Sequence, residues 1–194
     1  NQPKVTVYDS VGNVVTDTQY NGDVTATISS AVGTGTGATT LEGTATGTIS
    51  NGQYSFSNLA LKGKIGTYKL TFTLGGSYTS VLSQSAAFDL TAGVATQMEF
   101  STQPPLTVYE GAAFGSPVAV TVRDVSGNVA DSATGDVTLS TSSVNSSLSG
   151  TNPVSLVSGV ATFTGVKFDA ASTTAGTYTL LADYGALTQI ESTS

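Results

Sequence analysis

Two stretches of the chain share one alternation of apolar and polar positions. Val5 to Val15 reads VTVYDSVGNVV, and Val120 to Ala130 reads VTVRDVSGNVA. In both, the Val positions agree while the residues between them change, which is typical of a strand with one buried face. An Asp follows, then a Gly-Asn pair of the kind that takes positive φ in tight turns. The pattern therefore predicts a strand and a turn, present in two copies.

Three further segments recur in the same order, and each predicts a strand. No stretch has helical periodicity, and two low-complexity segments without a counterpart, 33–40 and 140–150, are predicted to be exposed connections. Met98 and Phe100, which alternate with polar residues, are predicted to lie on the first strand of the second copy. The recurring segments are Gly22–Thr25 with Gly135–Thr138, Gly52–Phe56 with Gly159–Phe163, and Gly66–Leu70 with Gly176–Leu180, and the final strands are expected at Tyr78–Leu90 and Leu187–Ser194.

These repeats predict an all-β chain of two tandem domains, 1–92 and 93–194. The 194 residues are enough for two small domains with a core each. The boundary is placed near Ala92-Gly93, and the short link favours an end-to-end arrangement over freely moving domains.

Charge and composition exclude several kinds of partner and site. The formal net charge is −7, and only six Lys and Arg are present, so a phosphate-binding stripe for nucleic acid or a basic face for an anionic membrane is not expected. The chain contains no His and no Cys, which excludes a Ser-His-Asp triad, a Cys-His pair, a thiolate metal site and disulfides. No apolar run is long enough to span a bilayer.

In its motifs the chain resembles the tandem bacterial Ig-like repeats of large surface proteins, including the invasin and intimin group. The resemblance is carried by VTVxDxxGNxV, a GVATF-type strand, GTYxL and the connector TAGVATQMEFSTQPP. It implies two Ig-like Greek-key β-sandwiches, an extracellular location, and no catalytic, cofactor-binding or metal-binding residues. It also implies that Tyr68 and Tyr178 close a corner of the fold by bonding to backbone.

The resemblance favours a non-catalytic spacer or stalk of a surface adhesin, whose partners are neighbouring repeats, identical subunits or a host ligand. Copy one has only residues 1–3 before its VTV strand, and copy two ends at Ser194 without a match for Ala86–Leu90. We interpret this either as truncation or as strand donation between subunits. The alternative function is accordingly a subunit of a filament or surface layer. A further alternative is a carbohydrate-binding or enzyme-accessory module.

The carboxylates are the main candidates for chemistry. They are interpreted as turn caps, with a calcium site as the functional alternative, because hard cations take several carboxylate and carbonyl oxygens. Their spacing matches neither an EF-hand nor a repeat-in-toxin motif. The residues concerned are Asp9, Asp17 and Asp23 in copy one and Asp124, Asp131 and Asp136 in copy two.

Other side chains have a functional and an ordinary interpretation. Tyr20, Tyr109 and Tyr184 fall near predicted strand ends, where exposed rings would serve carbohydrate binding. Lys4 lies on a strand type that carries isopeptide bonds in some surface domains, but its alternation predicts a solvated side chain. Asn145-Ser146-Ser147 is a glycosylation pattern. The GTGTG run lacks the ending of a phosphate-binding loop and is predicted to be a flexible connection.

Overall fold

The computed structural model describes residues 2–32, 39–79, 82–169 and 175–193. Within these residues the chain consists of antiparallel strands and one short 3-10 helix, and it contains no α-helix. The all-β prediction is therefore confirmed. The chain divides into two compact units, Asn1–Thr91 and Ala92–Ser194.

The first unit is built around the pairing of its two longest strands, β2 and β7. They form the centre of a sheet with the order β4-β2-β7-β8, and β9 also pairs with β7. Two-stranded sheets β1-β5 and β3-β6 complete the unit. The strands are β1 (Lys4–Thr6), β2 (Asp23–Val32), β3 (Thr40–Glu42), β4 (Thr46–Thr48), β5 (Gln53–Ser55), β6 (Ala60–Lys62), β7 (Gly66–Leu74), β8 (Leu82–Gln84) and β9 (Phe88–Leu90), and the 3-10 helix is Gly76–Tyr78.

The second unit has a three-stranded sheet, β10-β11-β15, and a four-stranded sheet, β14-β12-β17-β18. A separate two-stranded sheet is formed by β13 and β16. The strands are β10 (Gln97–Thr102), β11 (Val118–Arg123), β12 (Asp136–Thr141), β13 (Leu148–Ser149), β14 (Val154–Ser155), β15 (Val160–Phe163), β16 (Lys167–Phe168), β17 (Leu180–Asp183) and β18 (Ile190–Glu191).

Each unit has its own hydrophobic core, drawn from more than one sheet. In the first unit the period-2 residues of β2 and β7 pack with side chains from outside that sheet; the buried members are Val15, Tyr20, Val24, Ala26, Ile49, Phe56, Leu59, Leu70, Phe72 and Leu74. In the second, the buried members include Val118, Val120 and Val122 of β11, Val137 and Leu139 of β12, and Leu180 and Ala182 of β17. The apolar positions shared by the two copies are thus largely core positions.

Two matching hairpins have two-residue turns with positive φ at both central residues. Asn51 and Gly52 have φ of 48° and 72°, and Ser158 and Gly159 have 48° and 77°. These values fit a type I′ turn, whose twist suits antiparallel strands. A Cβ on Gly52 would lie 2.5 Å from the Val15 carbonyl oxygen, so glycine is required there by space as well as by φ. The repeated segments predict strands that begin at these two glycines, whereas the glycines complete the turns and the strands begin at Gln53 and Val160.

Replacing Ser158 by Asn is expected to stabilise the second unit by about 0.5 kcal/mol, because Asn tolerates positive φ better than Ser. The measurement is the denaturant midpoint of the second unit. The reciprocal change Asn51→Ser is the matched control and is expected to destabilise the first unit by a similar amount. The same sign for both changes would contradict the turn assignment.

Several predicted elements differ from those observed. The segment Tyr78–Leu90 contains two short strands, β8 and β9, instead of one, and within Leu187–Ser194 only Ile190–Glu191 is a strand. The segment 140–150 is not simply an exposed connection, because it includes the end of β12 and the whole of β13. Of the predicted loop 33–40, residues 33–38 lie outside the described residues, and Thr40 begins β3.

Candidate functional site: the repeated Asp turn and the adjacent strand edge

The turn after β11 is held by the carboxylate of Asp124. Its Oδ1 accepts hydrogen bonds from the backbone N–H of Ser126 at 2.8 Å and of Asn128 at 2.9 Å. Its Oδ2 accepts the side-chain amide of Asn128 at 2.9 Å and the backbone N–H of Gly93 at 3.0 Å. Asp124 and Asn128 are each 5% exposed. This buried carboxylate therefore accepts hydrogen bonds from two separate segments, the Ser126–Asn128 turn and Gly93.

The turn after β1 repeats this arrangement around Asp9. Oδ1 accepts the backbone N–H of Val11 at 3.0 Å and of Asn13 at 2.8 Å, and Oδ2 accepts the side-chain amide of Asn13 at 3.1 Å. The predicted bond from the Asp to the N–H two residues on is confirmed in both copies. Of the Gly-Asn pairs, only Gly12 and Gly127 have positive φ, at 93° and 76°, so the prediction was wrong for the two Asn residues.

The two turns differ in what covers them. The carboxylate of Asp124 also accepts the backbone N–H of Gly93, which lies thirty-one residues earlier in the chain. In the equivalent turn of the first unit, Asn13 is exposed. Burial raises the pKa of the Asp124 carboxyl, but the hydrogen bonds from Asn128, Gly93 and Ser126 outweigh it and hold that pKa below its ordinary value. The bond from the Asn13 backbone, followed by that from its side chain, lowers the pKa of Asp9. Both carboxylates are therefore ionised at neutral pH and act as acceptors.

The strand edges beside the turns differ as well. In the second unit β11 is paired on both sides, with β10 and with β15. Met98 of β10 lies opposite Val122, and Phe100 lies opposite Val120. Both Val residues are fully buried, at 0% exposure. The prediction of a strand through Met98 and Phe100 is confirmed, and this strand closes that edge of the core.

In the first unit β1 pairs with β5 in a sheet of two strands, as far as the described residues extend. Val5 and Val7, the counterparts of Val120 and Val122, are only half-buried. Nearby apolar side chains are open to solvent, with Tyr8 at 59%, Val11 at 79% and Val14 at 42% exposure. An apolar strand edge and the exposed Asp9 turn thus lie together on the first unit, and we call this surface the β1 edge (Lys4–Asp9).

The other predicted carboxylates do not converge on a metal site. Asp23 accepts the Thr48 hydroxyl at 2.9 Å, and Asp136 accepts the Ser155 hydroxyl at 2.5 Å, which is a matching cross-strand pair in the two units. Asp17 accepts the backbone N–H of Asn51 at 2.5 Å. Asp131 is exposed. In the part of the chain that the structure describes, no group of three or more acidic residues could hold a metal ion.

The three candidate tyrosines do not form an aromatic face. Tyr20 is buried at 8% exposure, so its ring is not available as a platform for carbohydrate. Its hydroxyl donates to the Asp23 carbonyl at 2.7 Å and accepts the Gly75 N–H at 3.0 Å. Tyr109 is 78% exposed, and the Tyr184 hydroxyl donates to the Thr134 carbonyl at 2.9 Å. Tyr68, interpreted from sequence as a fold residue, donates to the Lys64 carbonyl at 2.6 Å.

Two further candidate side chains lie on the surface. Lys4 and Asn145 are exposed, as the alternation predicted for Lys4. A depression of about 660 Å³ in the second unit is lined by Tyr184 and Leu187 on one hairpin and by Val94, Ala95 and the segment 132–136. Its walls are largely apolar or backbone, with Asp136 as the charged group, so it offers no convergent set of catalytic groups.

Within the described ranges, no helix is long and apolar enough to cross a membrane. Comparison of the chain with protein-family models, with curated proteins and with solved structures finds no match.

Proposed function

We propose that the chain is a non-catalytic structural module of an extracellular surface protein, in which two Ig-like β-sandwiches serve as spacer repeats of an adhesin stalk. In this function each repeat bears tension through its strand ladders and carries another element away from the cell. The acidic, Lys-poor composition keeps such a surface protein soluble.

The observation that carries this proposal is the recurrence of backbone bonds while surface side chains change. Val7 N–H donates to the Gly52 carbonyl at 2.8 Å, and Val122 N–H donates to the Gly159 carbonyl at 2.9 Å. Likewise, Val15 N–H donates to the Val7 carbonyl at 3.1 Å, and Ala130 N–H donates to the Val122 carbonyl at 3.0 Å. The backbone hydrogen bonds recur in the two units while the surface side chains differ, and this favours a mechanical or spacing role.

The core arrangement supports the sandwich. In the first unit, Val5 and Tyr54 of the β1-β5 sheet, and Val7 directly after β1, pack against a core that contains residues of β2 and β7. In the second, β11 and β15 share a core with β12 and β17, which belong to a different sheet. Apolar faces of separate sheets meeting in one core are the basis of sandwich folds.

Side-chain chemistry supports a non-catalytic role. The chain has no His and no Cys, which removes the usual general bases and nucleophile partners at neutral pH. The carboxylates Asp9 and Asp124, whose bonds recur in both units, are engaged by backbone N–H groups of their own turns. These two carboxylates therefore stabilise the conformation of their turns.

Stretching single molecules by their two ends tests the proposal. We expect two separate unfolding events, each releasing roughly 30 nm, because each unit contains about 90 to 100 residues at about 3.4 Å per extended residue. A chelator is expected to leave the unfolding force unchanged. Extension without resolved unfolding events would contradict a function under tension. An unfolding force that falls on chelation would favour the calcium alternative.

A second candidate function is supported by the β1 edge. An apolar edge strand that is half-buried favours pairing with another chain, so a filament or surface-layer subunit joined by strand donation fits this part of the first unit. Carbohydrate binding has no comparable support, since Tyr20 is buried and the Tyr184 hydroxyl bonds to backbone.

A further inference from the structure

The pairing of β10 with β11 in the second unit is a template for the strand that the β1 edge can bind. The pairs Lys4 with Ser55, Val5 with Tyr54 and Thr6 with Gln53 correspond one to one to Ala119 with Thr162, Val120 with Ala161 and Thr121 with Val160. The β1-β5 and β11-β15 ladders thus have the same register. On the opposite side β11 carries β10, while in the described residues β1 belongs to a sheet of two strands.

We propose that the β1 edge binds an extended antiparallel strand of the Gly93–Thr102 type, supplied by a neighbouring repeat of the same kind. This inference rests on the proposed role as an assembling repeat and specifies how one repeat joins the next. The occupant has a Gly near its start and a large apolar residue at two alternate positions, as in Gly93, Met98 and Phe100.

The template fixes the register of the bound strand. In the second unit Met98 lies opposite Val122 and Phe100 opposite Val120, so the equivalent residues of the occupant lie opposite Val7 and Val5. The two alternate apolar side chains cover the half-buried Val pair and complete the core edge. In strand addition the main-chain hydrogen bonds supply affinity and the alternate side chains supply specificity, and the apolar area buried by these two side chains adds to the affinity.

The same template assigns two polar anchors. Thr96 N–H donates to the Arg123 carbonyl at 2.8 Å, and Gly93 N–H donates to Asp124 Oδ2 at 3.0 Å. The equivalent acceptors on the β1 edge are the carbonyl of Tyr8 and Oδ2 of Asp9. The Asp9 turn already has the same internal bonds as the Asp124 turn, so it presents the acceptor without rearrangement.

One contact of the template has no equivalent at the β1 edge, and this difference affects which strands the β1 edge prefers. Arg123 forms an ion pair with Glu99 at 2.6 Å, but the first unit has Tyr8 in the position of Arg123. The occupant therefore needs no carboxylate at the Glu99 position. Since the chain has a net charge of −7, a neutral residue there is expected to bind at least as well.

The first test is titration of a synthetic peptide with the sequence of residues 91–103 into the full chain, followed by residue-resolved amide exchange. We expect saturable binding that slows exchange at Thr6, whose N–H points away from β5 by strand alternation. The peptide with Glu99→Gln should bind equally. The peptide with Met98→Asp and Phe100→Asp should not bind. Equal binding of this double variant, or protection confined to the second unit, would overturn the proposal.

A second variant keeps the test decisive if the free peptide binds too weakly to measure. Residues 92–117 are placed directly before Pro3, the position equivalent to Val118, so that the strand is attached through the connection the second unit itself uses. We expect exchange in β1 and β5 to slow about tenfold or more, because the core edge becomes covered. The control is the same graft with Met98→Asp and Phe100→Asp. The proposal is overturned if the unchanged graft slows exchange in β1 and β5 no more than this control does. The stretching experiment is unaffected by either result, so failure here is distinct from failure of the spacer function.

Discussion

Replacing Asp124 by Ala is expected to destabilise the second unit by about 3 kcal/mol. The change leaves the N–H groups of Ser126, Asn128 and Gly93 and the Asn128 side chain without their acceptor. A buried donor that loses its partner costs about 1–3 kcal/mol. The two donors of Asn128 are buried, whereas the N–H groups of Ser126 and Gly93 are only partly buried and can turn to water. The measurement is the free energy of unfolding of the second unit from residue-resolved amide exchange in denaturant.

The chain contains its own control for this experiment. Asp9→Ala removes the same turn contacts from the first unit, but the donors there reach water more easily because Asn13 is exposed. We expect a clearly smaller loss of stability in the first unit. Equal losses for the two variants would show that neither the burial of Asp124 and Asn128 nor the bond from Gly93 makes the Asp124 turn more stabilising than the Asp9 turn.

The lowered pKa of Asp124 gives this prediction a pH dependence. A carboxyl whose pKa is lower in the folded than in the unfolded state stabilises the fold above the unfolded pKa of about 3.9. That contribution is lost as the pH falls through the folded pKa. The second unit should therefore lose stability below about pH 4, and Asp124→Ala should show a weaker dependence on acid than the unchanged chain.

Replacing Phe163 by Ala is expected to cost the second unit about 3–5 kcal/mol, because the side chain is 1% exposed and leaves a cavity in the core. This is a large part of the stability of a small domain. Exchange rates measured throughout the chain should rise in the second unit only, since Phe163 belongs to the core of that unit.

Phe56→Ala is the matched variant in the first unit. Phe56 occupies the equivalent sequence position, directly after β5, and is 3% exposed. It contacts Phe72 at 5.6 Å and Tyr54 at 4.8 Å between ring centroids. We expect the same size of loss, confined to the first unit. Loss of protection in both units from either variant would contradict the assignment of two separate cores.

The sequence predicts the repeated elements of the fold well because their signals are local. Alternation places Val120 and Val122 in the core, and an Asp two residues before a backbone N–H is enough to predict the turn bond from Val11 to Asp9. The hairpin of the first unit also has a local signal, Asn-Gly at 51–52, which is typical of a type I′ turn.

The parts that were missed depend on contacts far apart in sequence. Tyr20 is buried because its hydroxyl reaches Gly75, fifty-five residues away, and its ring packs edge-on against Tyr78 at 5.3 Å. The difference between the two Asp turns follows from Gly93. Nothing in the local pattern around Asp9 or Asp124 distinguishes an open turn from a covered one.

The long pairing of β2 with β7 has a consequence for how the first unit folds. It joins Val24 to Leu74 and continues to Val32 with Thr67, so the chain must close loops of some 35 to 50 residues before this ladder forms. The two-residue hairpin at 51–52 needs no such closure and forms on the microsecond scale. Folding of the first unit is therefore expected to be limited by the search that brings its two longest strands together, with the hairpin between them already in place.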